Sequence, residues 1–128
     1  MSTQKLYDGF LPGSHPMQGF GQFGFRFADI SHQGSILALP SGIYLWAPIT
    51  PFQHTLDLYA EVFAETLPID ILLIGTGLLP VSMPEKFRVH FREKRISVDT
   101  MTTSAAASTY NVLLQEGRRV AAALVAVA

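Results

Sequence analysis

The run of residues 69–74 limits the possible folds more than any other segment of the chain. It holds isoleucine or leucine at every position except Asp70. A short apolar run without alternating polar residues is typical of a strand whose two faces are both buried, as in a parallel sheet. Helices must cover such a sheet from both sides, so this segment favours the α/β class.

The neighbouring segments supply the helices and strands that such a fold needs. An apolar stripe with helical spacing precedes the buried run, at Leu56, Tyr59, Ala60, Phe63 and Leu67. Further helices are predicted from residue 82 to about residue 94 and from residue 102 to about residue 115. Strands are predicted over residues 35–39, 43–47, 96–99 and 119–127. The alanines of the last segment favour a helix, but its valines favour a strand.

These elements predict an α/β fold with three layers. We expect a central mixed, mostly parallel sheet with helices on both faces, plus an N-terminal β-hairpin made by the strands at residues 35–39 and 43–47. Residues 1–22 are rich in glycine and proline, which oppose regular structure, so they are expected to form an extended arm. Residues 23–128 then form a single α/β domain. The arm would dock on this domain or on a partner through Phe10, Met17, Phe20 and Phe23.

Composition narrows the functional classes. The chain has 128 residues, a mass of 14.0 kDa and a net charge of −1, which fits one domain and argues against specific nucleic-acid binding. The absence of cysteine excludes disulfides, zinc–thiolate sites and iron–sulfur clusters. No apolar run reaches the length of a membrane span and no secretory pattern opens the chain. We expect a cytoplasmic protein, with peripheral association to a membrane complex as a further expectation.

A ligand cleft is predicted where two strands end. Residues 75–77 follow the buried strand, and residues 101–104 connect the next strand to a helix whose N-terminus offers amides and hydroxyl groups to an anion. A tight turn at the glycines and ordinary capping at the threonines are the alternatives. The candidate ligand residues are Gly75, Thr76, Gly77, Asp99, Met101, Thr102, Thr103, Ser104 and Asn111.

A second candidate surface is the basic helix that starts near residue 82. Five of the nine basic residues lie in this helix and its end. A solvated face is the ordinary explanation for such a cluster, and an acidic protein partner or anionic surface is the functional one. The candidate partner-binding residues are Lys86, Arg88, Arg92 and Arg95.

No catalytic constellation is present in the sequence. The glycines of residues 19–24 match G-x-G-x-x-G, but no strand precedes them and a strand follows, so a dinucleotide site is not predicted. The four histidines show no metal-ligand spacing, and no nucleophile motif occurs. We predict no catalytic residue, no metal and no cofactor.

From about residue 25 to residue 127 the chain resembles a widespread family of small proteins of unknown function, whose eukaryotic branch is the mitochondrial complex I (NADH:ubiquinone oxidoreductase) assembly factor 3. The segments that carry the resemblance are DISHQGSIL (29–37), LPSGI (39–43), LIGTG (73–77), VDTMTT (98–103), TYNVLL (109–114) and EGRRVAAAL (116–124). The resemblance implies a three-layer α/β fold with a mixed sheet and a C-terminal strand. It implies no established catalysis, and in the mitochondrial branch it implies a role in assembly with a second factor.

Two functional hypotheses follow. The first is a non-catalytic interaction or assembly factor for a respiratory or other membrane-associated complex, with other proteins as partners. The second is a protein, with or without enzymatic activity, that binds a small ligand, nucleotide or anion in the cleft between residues 75–77 and 101–104. Neither the partner nor the oligomeric state is predicted by the sequence.

Overall fold

The computed structural model describes residues 7–48 and 52–128. Nine strands and three helices follow one another within these ranges. The strands are β1 (Phe10–Pro12), β2 (Gly19–Gly21), β3 (Gly24–Phe27), β4 (Ile30–Gln33), β5 (Ser35–Leu39), β6 (Gly42–Trp46), β7 (Ile71–Gly75), β8 (Ser97–Met101) and β9 (Val120–Leu124). The helices are α1 (Ala60–Ala64), preceded by a 3-10 turn over Leu56–Tyr59, α2 (Glu85–Glu93) and α3 (Thr103–Gln115).

Six of the strands form the main sheet, in the order β1-β6-β5-β9-β7-β8. The α/β class and the mixed sheet are confirmed, but the prediction of a mostly parallel sheet is wrong. Three of the five pairings are antiparallel, namely β1–β6, β6–β5 and β5–β9, and only β9–β7 and β7–β8 are parallel. The error arises because the hairpin β5–β6 extends the central sheet itself and brings the antiparallel β1 with it.

The last strand occupies the middle of this sheet. β9 pairs antiparallel with β5 and parallel with β7, so it joins the two halves. All five of its residues are buried, and three of them are alanines, which lets the covering layers approach closely. The prediction that this segment is a strand beside the residue-71 strand is confirmed.

Helices pack on both faces of the main sheet. One apolar core contains Tyr59, Val62 and Phe91, which come from the 3-10 turn, α1 and α2. The opposite core contains Ala106 and Tyr110 from α3, together with side chains of a second, three-stranded antiparallel sheet, β2-β3-β4. None of the helices in residues 7–48 and 52–128 is both long and apolar enough to cross a bilayer.

The start of the described chain is paired with the body of the fold. β1 adds to the edge of the main sheet beside β6, and β2 forms a hairpin with β3. Met17 is buried, whereas Phe10 and Phe20 are exposed. The division into an arm (1–22) and a domain (23–128) stays a prediction, and residues 1–6 lie outside the described ranges.

Local residues determine where α3 begins and ends, whereas a contact with a distant segment accompanies the end of α1. Thr102 caps α3 by accepting a hydrogen bond from the Ala105 amide, and Gly117 ends it with a left-handed φ of 76°. The stripe through Leu67 predicts a longer α1 than the structure has. The chain turns extended at Glu65, whose carboxylate accepts a hydrogen bond from the Ser41 amide at 2.8 Å.

Candidate functional site

The two loops of the predicted cleft meet at one edge of the main sheet. β7 and β8 are parallel neighbours, and Gly75 pairs with Met101 at their carboxyl ends. The Thr76 amide donates to the Met101 carbonyl oxygen at 2.9 Å, and the Thr103 amide donates to the Gly77 carbonyl oxygen at 2.9 Å. Residues 75–77 and 101–103 therefore lie together, as predicted from the sequence.

Hydrogen bonds within the protein close the space between these loops. The Gly77 amide donates to the Thr103 hydroxyl oxygen at 3.0 Å, and that hydroxyl donates to the Val125 carbonyl oxygen at 2.7 Å. The Gly77 amide and the Thr103 amide thus each donate a hydrogen bond to the opposite loop and do not face solvent. Ligand binding by these residues stays a prediction, and the amide donors on which it relied are engaged internally.

The two glycines of this loop have different roles. A Cβ atom at Gly75 would lie 2.7 Å from the Thr103 Cα and 3.1 Å from the Ala106 Cβ, so the missing side chain lets α3 approach β7. Gly77 has a φ of 111°, a conformation that side-chain-bearing residues rarely adopt. Close approach at the first glycine and turn geometry at the second explain their presence.

The remaining predicted ligand residues are spread over α3 and β8. Asp99 and Ser104 are exposed, and Thr102 acts as the cap of α3. Asn111 lies further along α3, where its side-chain oxygen accepts from the Met17 amide at 2.7 Å and its side-chain nitrogen donates to the Met17 carbonyl oxygen at 2.8 Å. Asn111 therefore fixes the N-terminal segment to the domain.

The segment after Gly75 forms a rigid loop, which we call the 76–81 loop. The Thr76 hydroxyl donates to the Leu79 carbonyl oxygen at 2.7 Å and accepts from the Val81 amide at 2.9 Å. The buried His54 ring bonds the Val81 carbonyl oxygen through Nε2 at 2.8 Å and the Tyr59 hydroxyl through Nδ1 at 2.8 Å. Hydrogen bonds at Thr76 and Val81 thus hold both ends of the loop in place.

The 76–81 loop carries the most exposed large apolar side chains described in this protein. Leu78 is 72% exposed and Leu79 is 74% exposed. They border an apolar pocket of about 310 Å³, which is also lined by Phe23, Phe52, Thr76, Val81, Val127 and Ala128. Apolar side chains held out into water by a rigid loop are typical of contact surfaces.

Phe23 also lines this pocket. It occupies the β2–β3 turn with Gln22, and both residues have positive φ, 59° and 52°. Turns of this kind favour glycine and asparagine, so an aromatic residue here carries backbone strain. The Phe23 amide donates to the Val127 carbonyl oxygen at 2.7 Å, which holds the ring of residue 23 at the pocket although it is 55% exposed.

Burial lowers the pKa of His54, and the positive charge of Arg88 lowers it further, against the raising effect of the hydrogen bond to Val81. The neutral ring is therefore the form that the fold stabilises. Because His54 holds both Tyr59 and Val81, its protonation state affects the support of the 76–81 loop.

Only part of the predicted basic surface is available to a partner, because several of its side chains contact other residues of the protein. Arg88 donates to the carbonyl oxygens of Met83 at 3.2 Å and Val98 at 3.1 Å, which attaches α2 to β8. Arg92 is paired with Glu85, and the Lys86 amine lies 5.2 Å from the centre of the Phe87 ring. Arg95 is exposed and follows α2 with a φ of 60°. Some of the basic side chains of α2 thus stabilise the fold, and others contribute to the charge of the surface.

Sequence reasoning missed the apolar pocket. The signal was present, since Leu78 and Leu79 are consecutive apolar residues bounded by Gly77 and Pro80 and fit neither a strand nor a helix pattern. Their exposure depends on the tertiary support from Thr76 and His54, which no local pattern encodes.

Comparison with known proteins places the chain in a family. The family model described as "Protein of unknown function (DUF498/DUF598)" matches residues 17–125. The chain belongs to this family. An uncharacterised member from Rhodobacter capsulatus is 36% identical over 112 residues, covering 88% of this chain and 85% of that protein. The family resemblance expected from the sequence is therefore confirmed.

Two other relatives extend the comparison. The Drosophila melanogaster NADH dehydrogenase [ubiquinone] 1 alpha subcomplex assembly factor 3 is 30% identical over 111 residues, covering 84% of this chain and 56% of that protein. This chain therefore spans little more than half of that relative. A crystal structure described as that of an outer membrane protein from Bartonella henselae is 50% identical, covers 91% of this chain and 98% of that chain, and has a TM-score of 0.85.

Proposed function

We propose that this protein is a non-catalytic interaction factor that helps to assemble a respiratory or other membrane-associated complex. The observation that carries the proposal is the apolar pocket bordered by Leu78 and Leu79 on a rigid loop. The name of the Drosophila relative, an assembly factor for NADH dehydrogenase, supports a protein as the occupant. A cytoplasmic location with peripheral attachment to the complex is part of the proposal.

The pocket suits one apolar anchor side chain of a protein partner. Its volume of about 310 Å³ can accept one large apolar side chain, and its rim offers two leucines and Phe23 as further contact. Interfaces commonly place such an anchor in a preformed pocket, surrounded by residues that exclude water. Since the 76–81 loop is fixed by internal hydrogen bonds, little conformational freedom is lost when the partner binds.

The test is affinity recovery of the tagged protein from its own cells, with detergent-solubilised membranes, followed by mass spectrometry. We expect the wild type to recover subunits of NADH:ubiquinone oxidoreductase, and L78S/L79S to lose them. Leu45→Ser is the matched control, because Leu45 is 62% exposed on β6, outside the pocket lining. Recovery of the same subunits by the loop variant, or of no subunit of any membrane-associated complex by the wild type, would contradict the proposal.

A small apolar ligand is the second candidate occupant. The pocket lies near the lower end of the volume range of small-molecule sites, and its lining is mostly apolar. This differs from the predicted anion site, because the pocket has apolar walls instead of free amides. Mass spectrometry of the purified protein, native and then denatured, tests it. A bound molecule that L78S/L79S fails to retain would favour this candidate over the protein anchor.

A further inference from the structure

β8 has one unpaired edge at the end of the main sheet. It pairs only with β7 within the described chain. The Ser97 amide donates to Asp70, and the Met101 carbonyl oxygen accepts from Thr76, so Ser97 and Met101 face the β7 side. Because backbone groups alternate along a parallel strand, Val98 and Thr100 direct their amides and carbonyl oxygens to the open edge.

A groove between α2 and this edge is strongly basic. Its volume is about 500 Å³ and its lining is Arg88, Arg92, Arg95, Ile96, Ser97 and Val98. Among the described residues that line it, three are arginines and none is a carboxylate. Arg88 already donates to the Val98 carbonyl oxygen at 3.1 Å, which shows that a donor from outside the sheet can reach this edge.

Arg95 occupies a position that favours glycine. The Arg95 amide bonds the Arg92 carbonyl oxygen and the Ile96 amide bonds the Phe91 carbonyl oxygen, the pattern that ends a helix with one left-handed residue. That residue is Arg95, with a φ of 60°. The chain thus carries a cation beside the groove at a position where its backbone is strained. The Arg92 side chain is 57% exposed and forms an ion pair with Glu85.

We propose that β8 accepts an extended acidic segment of a partner protein as an additional strand. The segment bonds the Val98 amide and the amide and carbonyl oxygen of Thr100, since the Val98 carbonyl oxygen already accepts from Arg88. Its alternate carboxylates face Arg92 and Arg95. Strand addition explains the free edge, and charge complementarity explains why an acidic segment is preferred. This surface lies outside the apolar pocket, so the inference goes beyond the proposed function and does not depend on it.

The test is binding of synthetic peptides to the full chain, measured by fluorescence anisotropy at low salt. The probe is a labelled ten-residue peptide that alternates threonine with glutamate. One control replaces glutamate with lysine, and a second carries an N-methyl group on every backbone nitrogen, so that it keeps its charge but has no amide donor on either edge with which to pair as a strand. We expect binding of the first peptide only, with slower hydrogen exchange at the Thr100 amide.

Variants of the protein test the charges. Arg92→Ser or Arg95→Gly should each weaken binding of the acidic peptide by about threefold to fivefold, the upper part of the range for exposed ion pairs, and both together by about tenfold. Arg26→Ser removes an exposed charge on the small sheet and should leave binding unchanged. Equal binding of the N-methylated or lysine peptide, or no binding of any peptide, would overturn the proposal. The assay contains no respiratory subunit, so its result is separate from that of the recovery experiment.

Discussion

Replacing Gly75 with alanine tests the close approach between β7 and α3. The added Cβ would lie 2.7 Å from the Thr103 Cα, with the Ala106 Cβ and the Leu124 Cδ2 at 3.1 Å. The nearest obstacle is backbone at the first turn of α3, which cannot rotate away as a side chain can. We therefore expect α3 to shift or the loop contacts to Thr103 to lengthen.

The magnitude follows from opposing terms. Overpacking a core position typically costs about 1–3 kcal/mol, and contact with backbone favours the upper end of that range. Alanine returns about 0.5–1 kcal/mol by restricting the unfolded chain. The free energy of unfolding of Gly75→Ala should therefore fall by about 2 kcal/mol, and its midpoint in urea should fall without a change in the slope.

The assay is urea unfolding followed by circular dichroism, with Gly19→Ala as the matched control. A Cβ atom added at Gly19, in β2, would meet no other atom within 4 Å, so this replacement should not destabilise the protein and should raise the unfolding free energy by about 0.4–1 kcal/mol through the same restriction of the unfolded chain. In G75A/A106G the Ala106 contact disappears but the Thr103 contact stays, and glycine inside α3 itself costs about 1 kcal/mol, so stability should not recover to the wild-type value. Full recovery in that double variant, or an unchanged G75A, would refute the backbone explanation.

Three further predictions concern single side chains. Asn111→Ala should lower the unfolding free energy by about 1.5 kcal/mol, since two hydrogen bonds to Met17 are lost and some helix propensity is gained; no loss in urea unfolding would contradict this. Arg95→Gly should raise the unfolding free energy by about 1 kcal/mol, because glycine adopts the left-handed backbone without strain. A lower midpoint in urea would argue against strain at residue 95. Burial holds the pKa of His54 below its ordinary value, so the unfolded state binds the proton more readily and stability should fall as pH drops below about 6.5. A pH titration of stability in which His54→Gln keeps the full wild-type dependence would contradict that assignment.

Local patterns predicted the elements that local chemistry determines. The threonine cap and Gly117 defined α3, and the run of residues 69–74 gave the buried strand, observed as β7. The direction of most pairings could not be predicted. Whether β9 joins β5, β7 or both depends on how the connecting segments cross the sheet, and neighbouring residues carry no information about that path.

The candidate site was predictable only in part. Strand ends carrying glycine and threonine correctly indicated that residues 75–77 and 101–104 meet. The same hydroxyl and amide groups that suggested a ligand bond each other instead, because Thr103 is buried and satisfies both Gly77 and Val125. The apolar pocket requires Phe23 and Leu79, which lie far apart in the sequence, to line the same space.

The central position of β9 has a consequence for biosynthesis. A nascent chain that has emerged as far as α3 has the β5–β6 hairpin on one side and the β7–β8 pair on the other, with no strand to connect them. Their inner edges stay open until residues 120–124 leave the ribosome, so this domain cannot complete its sheet progressively during translation. Such non-local pairing slows folding and exposes strand edges. We therefore expect ribosome-bound chains that stop before residue 120 to depend on chaperones, and the folded core to form in one late step.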